Sequence, residues 1–140
     1  MRCVEVSAGK LTLHECTVRS ENGIGLMVLD AAVAVVKRCM LHGSGKCGLL
    51  AMDGGEVHVE HSAVQDNRMY GVVSQSRGKV ALFESSVVRN NAVGVLVHRS
   101  GADCLIVASE ITDNGEMGVA VQDGAQVLAL PLAPTLSPRP

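Results

Sequence analysis

Short apolar alternations run along the chain from Val4 to Leu130, each only a few residues long and each closed by a polar corner. A period of two puts successive side chains on opposite faces of a strand, whereas a helix would gather apolar residues at every third or fourth position. The alternations themselves recur. GLMV, GLLA, GVVS, GVLV and GVAV begin at Gly25, Gly48, Gly71, Gly94 and Gly118, with spacings of 23, 23, 23 and 24. A second series, Gly9, Ala32, Gly55, Gly78, Gly101 and Gly124, recurs every 23 residues. The one-residue difference between the two series is assigned to an insertion near Ala102 and Asp103, recovered by a shorter turn before Gly124. Within the unit that starts at Gly78, Val80 and Leu82 share a face, Ser85 and Val87 follow a corner, and Val93, Val95 and Val97 complete the turn.

Three short strands per unit, stacked on themselves, predict an all-β fold: a single-stranded right-handed parallel β-helix of about five coils of 23 residues. The β-helix domain is expected over 1–130 and a Pro-rich tail or linker over 131–140. All four prolines lie in that tail, and Pro has no N–H for a sheet ladder. Leucine-rich repeats have a similar length but need regularly spaced leucines that are absent here. The expected inward columns are Leu26, Leu49, Val72, Val95, Val119; Val28, Ala51, Ser74, Val97, Val121; Leu13, Val36, Val59, Leu82, Ile106; and Val18, Leu41, Val64, Val87, Ile111. Cys47 is placed in a further inward column with Ile24, Tyr70, Val93 and Met117. Cys16 and Cys39 share a corner column with Ser62, Ser85 and Ser109, where small side chains stack and neighbouring coils come within disulfide range. Asn67, Asn90 and Asn114 fall in register before the Gly-Val strands, and an amide there can bond the coil above, so a structural ladder is expected.

These strands, in "Gly-Val-x-Val" and "Gly-Lys-Val-x-Leu" form, and corners such as those in ESSVVRNNAVGVLVHRSG, resemble the right-handed β-helix families of the pectin-lyase-like fold over residues 2 to 130. The resemblance implies the fold. It leaves the activity open, because those families include polysaccharide lyases, hydrolases and epimerases as well as non-catalytic repeats of F-box ubiquitin-ligase adaptors.

The outward column of the Gly-Val strands reads Met27, Leu50, Val73, Leu96, Ala120. None of these can act as acid, base, nucleophile or metal ligand, and the neighbouring column, Leu29, Met52, Gln75, His98, Gln122, adds only His98. Five apolar side chains on adjacent coils would form a ridge about 19 Å long. A stripe of that kind is expected to be covered, either by another part of the same chain, such as a loop or the Pro-rich tail, or by a partner protein, a neighbouring domain or a second copy. The latter reading makes it the candidate binding surface.

Other chemistry is thinner. HVEH puts His58 and Glu60 on one strand face with His61 at the corner and Lys37 one coil below Glu60, a poor metal site, so no metal and no cofactor are expected. Asp30, Asp53 and Asp123 share a turn position broken by Ser76 and Arg99, which fits tight turns better than a calcium cage. LHGSGKCG lacks phosphate-loop spacing.

Composition narrows the partners. Only Phe83 and Tyr70 are aromatic and the net charge is -2, which argues against nucleic acid. No apolar run is long enough for a membrane helix and no signal peptide is evident. Five cysteines without paired spacing fit a reducing, intracellular location, cytoplasmic or nuclear. With no capping helix in view, the ends are expected to continue into a longer β-helix or to self-associate. The expected function is a non-catalytic repeat module for protein–protein interaction or scaffolding. The alternative is a fragment of a carbohydrate-active β-helix protein that acts on or binds uronic-acid polymers.

Overall fold

A computed structural model describes residues 2–131, so the tail expected over 131–140 lies outside the described residues but for Pro131. Three parallel sheets wind around one interior. The first contains β1 (Arg2–Val6), β4 (Ile24–Val28), β7 (Cys47–Met52), β10 (Tyr70–Gln75), β13 (Val93–His98) and β16 (Met117–Gln122). The second contains β2 (Lys10–His14), β5 (Val33–Lys37), β8 (Glu56–Glu60), β11 (Lys79–Phe83), β14 (Asp103–Val107) and β17 (Gln126–Leu130). The third contains β3 (Thr17–Val18), β6 (Met40–His42), β9 (Ala63–Gln65), β12 (Ser86–Val88) and β15 (Glu110–Thr112). Each strand pairs with the strand one coil away, as Val72 does with Leu49 and Val95. Two six-stranded sheets give about six turns, close to the five expected. Among the described residues no helix is long and apolar enough to cross a membrane.

Aliphatic columns fill the interior. Leu26, Leu49, Val72 and Val95 are fully buried, as are Val36, Val59 and Leu82 and, from the third sheet, Leu41, Val64 and Val87. Each such side chain removed from water contributes roughly 1.5–3 kcal/mol against the entropy of ordering the coil. In the last coil the same columns open out, with Val119 at 38% and Val121 at 47% exposure.

The Gly of each Gly-Val strand changes the expected alternation. The register pairs Tyr70 with Cys47 and then Val72 with Leu49, leaving Gly71 and Gly48 out of the pairing. A Cβ on Gly48 would stand 2.7 Å from Val64 Cγ1 and 2.9 Å from Asn67 Nδ2, so this residue faces the interior. Leu49 faces inward as well. Two consecutive inward residues turn the one before them outward. Cys47, expected in the core with Ile24 and Tyr70, instead packs with both of them in a second cluster around Met27, Leu50 and Val73.

Corners are built on left-handed residues. Between the first and second sheets φ is positive at Asp30, Asp53, Ser76, Arg99 and Asp123, and between the second and third at Glu15, Arg38, His61, Glu84 and Ala108. Asp is among the residues that enter this region most readily, which accounts for the recurring aspartates without a cation. Pairing of Asp103 with Lys79 and Gln126 shows that Ala102 and Ala125 continue the Gly55–Gly78 column. Gly101 and Gly124, expected in that column, are one residue earlier, in the turns themselves, at φ of 77° and 79°. The inserted residue therefore lies in the turn between His98 and Ala102.

Two polar ladders run up the inside of the corners. Asn67 N–H and Nδ2 donate to Asn90 Oδ1 at 3.2 and 2.8 Å, and Asn90 N–H and Nδ2 both donate to Asn114 Oδ1 at 3.0 Å. Ser44 N–H donates to Asn67 Oδ1 at 2.9 Å and Ser20 N–H to Ser44 Oγ at 3.1 Å, so serines stand in the same place in the first coils. The second ladder links Cys39 N–H to Ser62 Oγ, Ser62 N–H to Ser85 Oγ and Ser85 N–H to Ser109 Oγ, at 3.0 to 3.2 Å. Expected as a stack of small groups, this column is also a chain of hydrogen bonds.

Candidate functional site

The outer face of the first sheet carries the column expected as an open ridge, and its exposure is the main difference from that expectation. Met27, Leu50 and Ala120 are each only 8% exposed and Val73 5%, while Leu96 is half-buried. The reason is lateral. The outward turn of Ile24, Cys47 and Tyr70 supplies a second apolar column on one flank, and Leu29 and Met52 stand on the other. Neighbours at strand spacing then shield the central column from both sides. The face is a packed outer layer.

That layer is notched in the middle coils. A groove of about 380 Å³ is lined by Leu50, Val73, Leu96, Cys47 and Tyr70, with Met69, Lys46, Gln75 and His98 at its edges. His98 Nε2 lies 2.7 Å from Gln75 Oε1, and Gln75 Nε2 lies 3.9 Å from Met52 Sδ, so the polar edge is itself chained from coil to coil. Tyr70 and Cys47 were not expected on this face, because strict alternation sends the residue before each Gly inward, and Lys46 reaches it from the corner that precedes β7. The five invariant glycine positions were the available signal.

Burial pushes the Cys47 thiol up to about 12, against a smaller opposing effect of Lys46, and burial together with the Asp103 carboxylate pushes Cys104 up to about 12. Both remain protonated at neutral pH and are poor nucleophiles. Since the unfolded thiols titrate near the ordinary value of 9.0 and the folded ones near 12, the unfolded chain loses these protons first. Their contribution to stability is complete below pH 9 and is lost as pH rises toward about 12. A urea-unfolding series is expected to show a midpoint falling across that window, and Cys47→Ala with Cys104→Ala should flatten the fall. Maleimide labelling at neutral pH should leave both residues unmodified until the chain unfolds.

The remaining candidates are dispersed. His58 Nε2 lies 2.8 Å from Glu56 Oε2, whereas His61 is held at the corner with a φ of 48°. Among the described residues no group of three or more His, Cys, Asp or Glu could hold a metal ion. Asp66 accepts from Arg89 Nε at 3.0 Å and Nη2 at 3.3 Å across one coil step, and this hydrogen bond, with the attraction of Asp66, raises the Arg89 pKa.

Above His58 and Glu60 the outer face of the second sheet turns apolar. On the second sheet, Ala81, Leu105 and Leu128 and, beside them, Phe83, Val107 and Leu130 face outward, with Leu128 57% and Leu130 46% exposed. Ala81, smaller than His58 and Leu105 on either side, helps to form a groove of about 460 Å³ edged by Glu56, Lys79 and Asp103. The alternation in DCLIV and QVLAL, apolar on both faces, was the sequence signal for it.

Three parallel sheets wound on a single interior, with two grooved apolar outer faces, define a parallel β-solenoid repeat protein. The chain belongs to the right-handed β-helix region family, whose model matches residues 2–129. No curated protein and no solved structure matches the chain.

Proposed function

We propose that this β-helix is a non-catalytic interaction module that binds another protein or a neighbouring domain through the outer face of its first sheet. The observation that carries the reading is the continuity of the apolar layer. Met27, Leu50, Val73, Leu96 and Ala120 follow one another over five paired strands, and the Cys47–Tyr70 flank widens the layer instead of breaking it. Met69 at 43% and Met117 at 50% exposure border this face, and methionine suits surfaces that adapt to a partner. The groove edge holds Lys46 and His98 but no carboxylate, so it offers no pair of acids for glycoside hydrolysis.

Because Leu50 is buried, aspartate there would damage the layer itself, and the half-buried Leu96 with exposed Met69 is the better probe. A photo-reactive residue at position 96 or 69 is expected to cross-link a discrete protein, and the same group in place of the exposed Glu110 on the third sheet is not. Equal cross-linking from all three positions would remove the assigned surface. Accumulation of unsaturated or shortened products from uronic-acid polymers would overturn the non-catalytic reading in favour of a carbohydrate-active one.

A further inference from the structure

The serine ladder between the second and third sheets begins with two thiols. Cys16 and Cys39 occupy the positions that Ser62, Ser85 and Ser109 hold higher up, one coil apart and immediately before strands that pair Thr17 with Met40. Their geometry copies that of the serines. Cys16 N–H donates to Cys39 Sγ at 3.4 Å, and the two Sγ atoms donate to the carbonyls two residues back, Cys16 to His14 O at 3.4 Å and Cys39 to Lys37 O at 3.2 Å. Both side chains therefore leave the backbone in the same direction. At a strand separation of about 4.8 Å their Cα atoms fall inside the range a disulfide spans. Only two weak S–H···O contacts are lost if the pair is oxidised.

Access differs between the two. Cys16 is half-buried and Cys39 is 5% exposed, and both line a hollow of about 570 Å³ with Thr17, Arg38, Met40 and His61. Cys47 and Cys104 sit in other sheets, on strands β7 and β14, with no cysteine opposite them in the register.

We propose that Cys16 and Cys39 form a reversible disulfide that staples the first coil to the second. A small disulfide reagent is the oxidant. The Cys16 thiolate attacks one of its sulfurs, breaking the reagent's S–S bond and releasing one small thiol. Cys39 gives up its proton and attacks the Cys16 sulfur, which releases the second small thiol and forms the protein S–S bond. Two protein thiols and one small disulfide become one protein disulfide and two small thiols. The buried partner never needs to meet the reagent, because its reaction is with the neighbouring chain sulfur.

The test uses the 140-residue chain treated with oxidised glutathione, with alkylation of remaining thiols and peptide mapping by mass spectrometry. The expected product is a Cys16–Cys39 cross-link, a mass lower by about 2 Da, and a thermal midpoint raised by at least about 3 °C over the reduced chain. Dithiothreitol should reverse all three. Cys16→Ser and Cys39→Ser should each abolish the cross-link and the shift while folding normally, since serine already serves at this position in three other coils. Glutathione retained on Cys16 with Cys39 still open to alkylation would overturn the proposal, as would a cross-link from Cys16 to Cys3.

Discussion

Gly71→Ala is expected to destabilise the fold by about 3 kcal/mol or more, while Gly118→Ala, at the same place in the last described coil, changes stability by less than about 1 kcal/mol. A methyl on Gly71 would stand 2.7 Å from Asn90 Nδ2, 2.7 Å from Gly94 O and 2.8 Å from Val87 Cγ1. Two of these neighbours are a ladder amide and a backbone carbonyl, fixed by the coil above, so neither can give way without breaking a hydrogen bond. At Gly118 the nearest atom is Ile111 Cγ2 at 3.5 Å, an ordinary contact. Urea-unfolding midpoints for the two variants measure the difference directly. Equal losses would mean that the cost lies in strand propensity and not in the approach of one coil to the next.

Asn90→Ala should be nearly as damaging, at about 3 kcal/mol, because it strands a buried backbone N–H and removes the better of two partners from a buried amide. Asn90 is 1% exposed and its Oδ1 accepts both the backbone N–H and the Nδ2 of Asn67, itself 1% exposed. Its own Nδ2 reaches Asn114 Oδ1 at 3.0 Å and Val64 O at 3.3 Å. Removing the amide leaves the buried Asn67 N–H unsatisfied and its Nδ2 with only the long bond to Leu41 O at 3.5 Å, and breaks the ladder in its middle. Asn90→Ser is expected to lose less, because Ser44 already accepts the backbone N–H of Ser20 in the same ladder. The order wild type, Ser, Ala in unfolding midpoint tests the assignment. If Ser and Ala lose the same amount, the backbone bond is not what the amide supplies.

Much of this architecture is legible from one chain because each coil meets the same surroundings as the next. A position that faces inward in one coil faces inward in all, so Leu26, Leu49, Val72 and Val95 identify their column by spacing alone. Register errors enter where the repeat length changes. The extra residue between His98 and Ala102 moved two glycines by one place, since Gly101 and Gly124 kept the spacing of 23 while the paired strands did not.

The candidate surface was less legible. Which residues belong to the outer column could be read, because alternation within Leu49–Met52 is regular. Whether they are open could not, because exposure is set by the neighbours on the same face. Those neighbours depend on where Cys47 and Tyr70 point, and a residue without a side chain gives no sign in the alternation that it faces inward.

The amino-acid sequence by itself determined the coil: three strands per 23 residues, an aliphatic interior, amide and hydroxyl corners, and almost no rings. Local periodicity is enough for that, since each requirement is met within one repeat and then copied. Only the tertiary structure decided that the residue before each Gly turns outward, that the expected ridge closes into a packed layer, and that the column of Cys16, Cys39 and the serines is joined by hydrogen bonds from coil to coil. These follow from contacts between coils, and such contacts form only when the stacked chain brings residues 23 apart to within one strand spacing.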